Sequence, residues 1–280
     1  MEGIVTVLNT AFTDEDRIDS ASLERNVQRA CSAGVAGFLV PAMAGEVFSL
    51  SAEERRLLMN TAVEAAAGRV PVIGGAYGSN QKERLRAAEM VMEAGCNGLL
   101  IYIPYTGRRS FLDQVREAAA LEPGFLMLQD WDSSGYGIPL EIIREAMEEE
   151  PLFTWLKIEV IPAGTKYTAV RSMAGSRLGI AGGWAVTQMI EGLDRGVDLF
   201  MPTGMHELYT RIYRLYRSGE RTAARELFYA LLPILSFSNQ HLDISIHFFK
   251  RLLWREGTYA TPRTRRTGVE FDEYHIRIAD

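Results

Sequence analysis

Two stretches of the chain share one frame. Ala33-Gly-Val-Ala-Gly-Phe-Leu-Val and Ala94-Gly-Cys-Asn-Gly-Leu-Leu-Ile both read A-G-x-x-G followed by three apolar residues, and Arg195-Gly-Val-Asp-Leu-Phe-Met is a looser third copy. Each copy ends an amphipathic helical pattern. A glycine just past a helix supplies the left-handed cap, and the apolar residues after it read as a strand. A junction of this kind that recurs means stacked βα units. The rest of the chain keeps the same alternation. Short apolar runs at 4–8, 37–41, 70–73, 98–103, 125–129, 153–158, 178–181 and 197–201 are predicted strands. Helical patterns at 20–33, 51–67, 81–94, 111–119, 139–147, 164–174, 184–195 and 206–217 separate or follow them. Apolar runs this short suit parallel strands buried on both faces. Eight such units in about 215 residues fit the α/β class as a closed (β/α)8 TIM barrel. An open doubly wound sheet is the alternative, but no G-x-G-x-x-G follows the first strand. The expected division is a barrel over residues 1–219 and a C-terminal helical extension over 220–280. Amphipathic patterns at 220–235 and 241–255 lead there into a polar, arginine-rich tail from Pro262.

Composition narrows the function classes. The net charge is −6, which argues against nucleic acid and anionic membrane surfaces as partners. No apolar run approaches the roughly 20 residues that span a bilayer. The opening MEGIVTVLNTAF has no basic start or long apolar core of a signal peptide. Cys31 and Cys96 lie in Ala/Gly-rich apolar contexts and read as buried thiols of a cytoplasmic protein. The four histidines show no metal-ligand spacing, and no metal or cofactor is expected.

Lys157 carries the chemistry. The chain holds four lysines against 26 arginines, and only Lys157 interrupts an apparent strand, Phe153-Thr-Trp-Leu-Lys-Ile-Glu-Val-Ile161. Barrel enzymes place their chemistry at the carboxyl ends of the strands. Side chains two apart on a strand share a face, so Trp155, Lys157 and Glu159 point the same way. A desolvated amine has a depressed pKa and, once neutral, attacks a ketone to form a Schiff base. The iminium is an electron sink that permits carbon–carbon cleavage or loss of water. The structural alternative is an amine that reaches solvent or pairs with Glu159.

These residues resemble the dihydrodipicolinate synthase / N-acetylneuraminate lyase family of class I, Schiff-base aldolases. The likeness runs through Asn9-Thr-Ala-Phe-Thr-Asp, Ala42-Met-Ala-Gly-Glu46, Leu50-Ser51 with Glu53-Glu-Arg55, Gly74-Gly-Ala-Tyr-Gly-Ser-Asn80, Pro104-Tyr-Thr106 and Lys157-Ile-Glu159. It implies Lys157 as the imine-forming amine, a small 2-oxo acid as substrate, and a homo-oligomer, a dimer or tetramer. It also implies that Met43, Ala44, Gly45 and Glu46 seat the substrate carboxylate. Three departures matter. Met43 and Ala44 stand where the family has two hydroxyls. Thr106 stands where it has a proton-relaying tyrosine. Gln129-Asp-Trp-Asp-Ser-Ser-Gly135 lacks the arginine that grips a second carboxylate. The chain therefore looks unlike a true dihydrodipicolinate synthase and more like a divergent branch near the 2-keto-3-deoxy sugar-acid dehydratases and aldolases. In that branch Asp130 would bind distal hydroxyls, with Asp132, Ser133 and Ser134 beside it. Proton transfer would fall to Thr106, Glu159 or water. Gly182-Gly183-Trp184 would let backbone approach the ligand. The glycine-rich 74–78 segment reads as barrel rim. A family member that binds an oxo acid without turning it over, as a sensor or scaffold, is the alternative function.

Overall fold

The computed structural model describes residues 1–183, 187–265 and 268–280. Among them, eight parallel strands close into a barrel in sequence order. They are β1 Gly3–Val7, β2 Gly37–Leu39, β3 Val72–Ala76, β4 Gly98–Ile101, β5 Leu126–Asp132, β6 Phe153–Val160, β7 Gly179–Gly182 and β8 Leu199–Phe200. The intervening helices are α1 Ser20–Ala33, α2 Ala52–Ala66, α3 Gln81–Glu93, α4 Arg108–Ala119, α5 Leu140–Glu149, α6 Ala163–Ala174 and α7 Met189–Asp194. After β8 come α8 His206–Arg217, α9 Arg221–Ser238, α10 Leu242–Arg255 and α11 Glu273–Ala279. This is the expected TIM barrel with C-terminal helices. Part of the predicted helix 184–195 falls on residues 184–186, outside the described residues. No described helix is long and apolar enough to cross a membrane.

Packing groups the chain into two compact units, Met1–Gly3 with Ile73–Pro202, and Ile4–Val72 with Thr203–Asp280. The division into a barrel over 1–219 and an extension over 220–280 follows element order and is a separate description of the chain.

In the first unit the repeated frame is visible. Gly95 and Gly196 have φ of +74° and +81°, the left-handed conformation that ends a helix. The second glycine of the frame has another role. A Cβ on Gly98 would lie 2.2 Å from the Phe125 ring, so the strand start must be bare there. Two boundaries differ from the sequence expectation. Gly74 and Gly75 lie inside β3, not on a rim, because a Cβ at Gly74 would sit 2.3 Å from Val91 of α3. β5 runs on through Asp130 to Asp132, paired along its length with β6.

In the second unit Gly34 ends α1 at φ +81°, and a Cβ on Gly37 would sit 2.9 Å from the Pro71 carbonyl. The helix starts obey carboxylate and hydroxyl capping. Ser51 caps α2 in a reciprocal box with Glu54. Asp19, rather than Ser20, caps α1 by accepting from the Ser22 amide at 3.0 Å. The arginine-rich tail is ordered by ion pairs: Arg265 lies 3.1 Å from Asp16 and 2.8 Å from Glu54. α11 follows in a stretch that reads as polar tail, started by an Asp272 cap onto Tyr274 and His275.

Candidate active site

β6 alternates. Leu156, Ile158 and Val160 are buried on one face, and Trp155, Lys157 and Glu159 share the other. The parallel register with β5 sets Gln129 opposite Lys157, Asp130 opposite Ile158 and Trp131 opposite Glu159. Gln129, not Asp130, therefore shares the Lys157 face. Lys157 is 6% exposed, and its Nζ lies 3.0 Å from Glu159 Oε2. Gln129 Nε2 donates to the same carboxylate oxygen at 2.5 Å. A carboxylate only accepts, so it fixes which end of the amide faces it. Gln129 Oε1 is left buried, with no donor among the described residues. Glu159 reaches this place because Gly183 is bare: a Cβ there would sit 2.2 Å from Glu159 Oε1. Lys157 and Glu159 thus come together as the ion pair that the sequence allowed as one alternative.

The other expected residues are placed differently. Asp130 is buried on the opposite face, 3.2 Å from the fully buried Lys166 of α6, and accepts from the Ile138 amide at 2.8 Å. It is 1% exposed, and its contacts lie away from the Lys157 face. Burial pushes the Asp130 carboxyl up and the Lys166 ammonium down, each opposed by the other's charge. Asp132 is likewise turned onto its own loop, accepting from the Ser134 and Gly137 amides at 2.9 and 3.2 Å. Gly182 leaves room for Phe200, whose ring would lie 2.8 Å from a Cβ. Trp184 lies outside the described residues. Thr106 is exposed in the loop between β4 and α4. Tyr102, one residue past β4, packs its ring edge-on to Trp131 at 5.9 Å. Burial and the Asp132 charge push its phenol up, which keeps the proton on.

The 42–46 segment belongs to the second unit. Met43–Gly45 forms a single 3-10 turn, and the Gly45 and Glu46 amides donate to Ala42 and Met43 carbonyls at 2.9 and 3.0 Å. Those two amides are used within the loop. Met43 and Ala44 open the turn, whose first amides have no partner within it. Asn9 and Thr10 side chains hold the Ala44 and Gly45 carbonyls at 2.7 and 2.5 Å. Glu46 adopts φ +60° and is fully buried. Its carboxylate pairs with Lys250, also fully buried, and accepts from the Arg265 amide at 2.6 Å. Glu46 thereby ties the C-terminal segment to the loop after β2.

Gln129 is the residue that sequence reasoning passed over. The signal was present: the period of two used for β6 applies equally to β5, but the register between them was needed to choose Gln129 over Asp130.

The Dihydrodipicolinate synthetase family model matches residues 1–266. A 4-hydroxy-tetrahydrodipicolinate synthase of Methanopyrus kandleri is 27% identical over 241 residues, 84% of this chain and 80% of the relative. An L-2-keto-3-deoxyarabonate dehydratase of Azospirillum brasilense is 26% identical over 276 residues, 94% of this chain and 87% of the relative. The crystal structure of a dihydrodipicolinate synthase from Rhodopseudomonas palustris has a TM-score of 0.91 at 23% identity, covering 100% of this chain and 95% of that one. That structural likeness concerns the fold. The family match extends from the first residue through the barrel and into the C-terminal segment, and the chain belongs to the dihydrodipicolinate synthetase family.

Proposed function

We propose that the protein is a lyase that joins Lys157 Nζ to a small hydroxylated 2-oxo acid as an imine, with Glu159 as the proton carrier. The observation that carries this reading is the Gln129–Glu159–Lys157 contact chain on one face of β5 and β6. The amine attacks the C2 carbonyl, and the carbinolamine loses water to give an iminium. Glu159 then takes a proton from C3, the electrons moving into the iminium to give an enamine. Elimination of a C4 hydroxyl from the enamine takes back that proton and releases water. Hydrolysis of the remaining imine frees the product and the amine. Gln129 serves as a positioning residue that holds the carboxylate beside Nζ. Loss of water is preferred to addition of an amino-aldehyde because residues 129–135 offer no arginine for a second carboxylate. The near full-length likeness to a protein named L-2-keto-3-deoxyarabonate dehydratase supports the same choice. On this reading the chain is not a dihydrodipicolinate synthase, although relatives carry that name.

An anion at the Met43 and Ala44 amides, and a homo-oligomer, are separate parts of the proposal. Ala44→Pro, which deletes one N–H, tests the first, and light scattering tests the second. Activity is tested by incubating the protein with L-2-keto-3-deoxyarabonate and following the dehydrated product. Turnover that disappears in Lys157→Ala is expected. Saturable binding with no turnover would favour the sensor reading, whose support is Met43 and Ala44 where the resembled family has hydroxyls, and Thr106 where it has a tyrosine.

A further inference from the structure

The Lys166 ammonium is fully buried, and its hydrogen bonds and ion pair go to one loop and one carboxylate of β5. It donates to the Tyr136 carbonyl at 2.8 Å and to the Ile138 carbonyl, and it lies 3.2 Å from Asp130 Oδ2. The two carbonyls take hydrogen bonds from the ammonium, and the Asp130 carboxylate balances its charge. The Tyr136 ring stands 4.2 Å from the same nitrogen. Asp130 completes the clamp by accepting from the Ile138 amide at 2.8 Å. Gly137 is shaped for it: φ is +73°, and a Cβ would meet Asp130 Oδ1 at 2.1 Å. Residues 133–138 are thereby tied to the back of the two strands whose front carries Gln129, Lys157 and Glu159. This loop leaves the carboxyl end of β5, the end at which barrel sites are built.

We propose that the Lys166–Asp130 pair is a positioning device that clamps the 133–138 loop and so sets how long a 2-oxo acid Lys157 accepts. The inference rests on the imine reading of Lys157. A buried ammonium that holds two carbonyls of a rim loop fixes the loop against solvent competition, because a lost partner would leave a charge unpaired in the interior. On this proposal the distal carbons of a five-carbon sugar acid meet the loop, and three-carbon pyruvate does not extend that far.

The test compares wild type with Lys166→Met in two assays. Borohydride trapping is titrated with pyruvate and with L-2-keto-3-deoxyarabonate, and amide hydrogen exchange is followed at Gly137 and Ile138. In Lys166→Met, half-saturation with pyruvate should stay within about 2-fold of wild type, as reaction at the amine itself is unchanged. Half-saturation with the longer acid should rise about 10-fold or more, and the two amides should exchange at least about 100-fold faster. Equal shifts for both acids would overturn the proposal, since a general structural loss does not discriminate by length. Unchanged exchange at 137 and 138 would overturn it too. A wild type trapped by neither acid would instead overturn the imine reading, and the length-setting role with it. If Lys166→Met does not fold, Asp130→Asn is the second variant. It removes the charge, keeps an acceptor for the Ile138 amide, and should show the same length discrimination in smaller measure.

Discussion

Lys157, Lys166 and Lys250 are three of the chain's four lysines, and each is buried against a carboxylate: Glu159, Asp130 and Glu46. The arginines hold most of the surface pairs. The division follows the side chains. A lysine is a compact charge on a flexible stem whose protonation burial can shift, whereas an arginine stays charged and suits the surface fork. Burial pushes Lys250 down to about 8. Only Lys157 could be picked out by eye, because a lysine inside an apolar strand is conspicuous. Lys166 and Lys250 sit in helices, where one polar residue reads as solvent-facing, and Glu46 and Lys250 are 204 positions apart. At this scale the proposed chemistry makes two expectations. Glu159→Gln removes the proton carrier and should lower kcat by about 100-fold or more. Gln129→Ala removes one contact that positions the carboxylate and should lower kcat by roughly 10-fold, with KM nearly unchanged. Steady-state kinetics with L-2-keto-3-deoxyarabonate checks both. Equal, wild-type kcat values would remove Glu159 from the mechanism.

At the scale of elements, the A-G-x-x-G frame was the most legible feature, because each glycine answers a local demand. Gly95 is required by its φ, and a Cβ there would meet nothing within 4 Å. Gly95→Ala should therefore cost only about 1 kcal/mol. Gly98→Ala drives a methyl into Phe125 and should cost about 2–3 kcal/mol. Chemical denaturation distinguishes the two, and the reverse order would contradict this account of the frame. Strand ends were less legible. Apolar character stops at Leu128, yet the ladder continues to Asp132 because β6 runs on to Val160 beside it and Asp130 finds Lys166 behind the sheet. The partners of three expected substrate groups were hidden for the same reason: Glu46, Asp130 and Gly182 meet Lys250, Lys166 and Phe200 from elsewhere in the sequence. The Glu46–Lys250 pair also fixes α10 to the loop after β2. Lys250→Met leaves Glu46 buried without its counter-ion and should cost about 3–5 kcal/mol. A change within 1 kcal/mol would mean that the carboxylate's remaining contacts, the Arg265 amide among them, satisfy it.

For the whole molecule, stability should depend on acid through His206. Its ring is 1% exposed, with Nδ1 3.2 Å from Thr6 Oγ1 and Nε2 2.9 Å from Asn26 Oδ1. Burial lowers its pKa to about 4, from 6.5. Between those values the unfolded chain binds a proton that the folded chain refuses. This contribution to stability is complete above pH 6.5 and is lost as the pH falls towards 4, by up to about 3 kcal/mol. His206→Gln should flatten that part of the stability profile. An unchanged slope between pH 6.5 and 4 would assign the acid sensitivity to other groups. The barrel itself follows from alternating short apolar runs and helices, a pattern that needs no long-range information. The site needed the register between β5 and β6, which no local pattern carries.

The most direct measurement is reductive trapping. The protein is incubated with pyruvate or L-2-keto-3-deoxyarabonate, treated with borohydride, digested and mapped by mass spectrometry. We expect one adduct, on Lys157, absent in Lys157→Ala. No adduct on Lys157 with either acid, in folded protein, would contradict an imine-forming site and leave Lys157 as the partner of Glu159 in a buried ion pair.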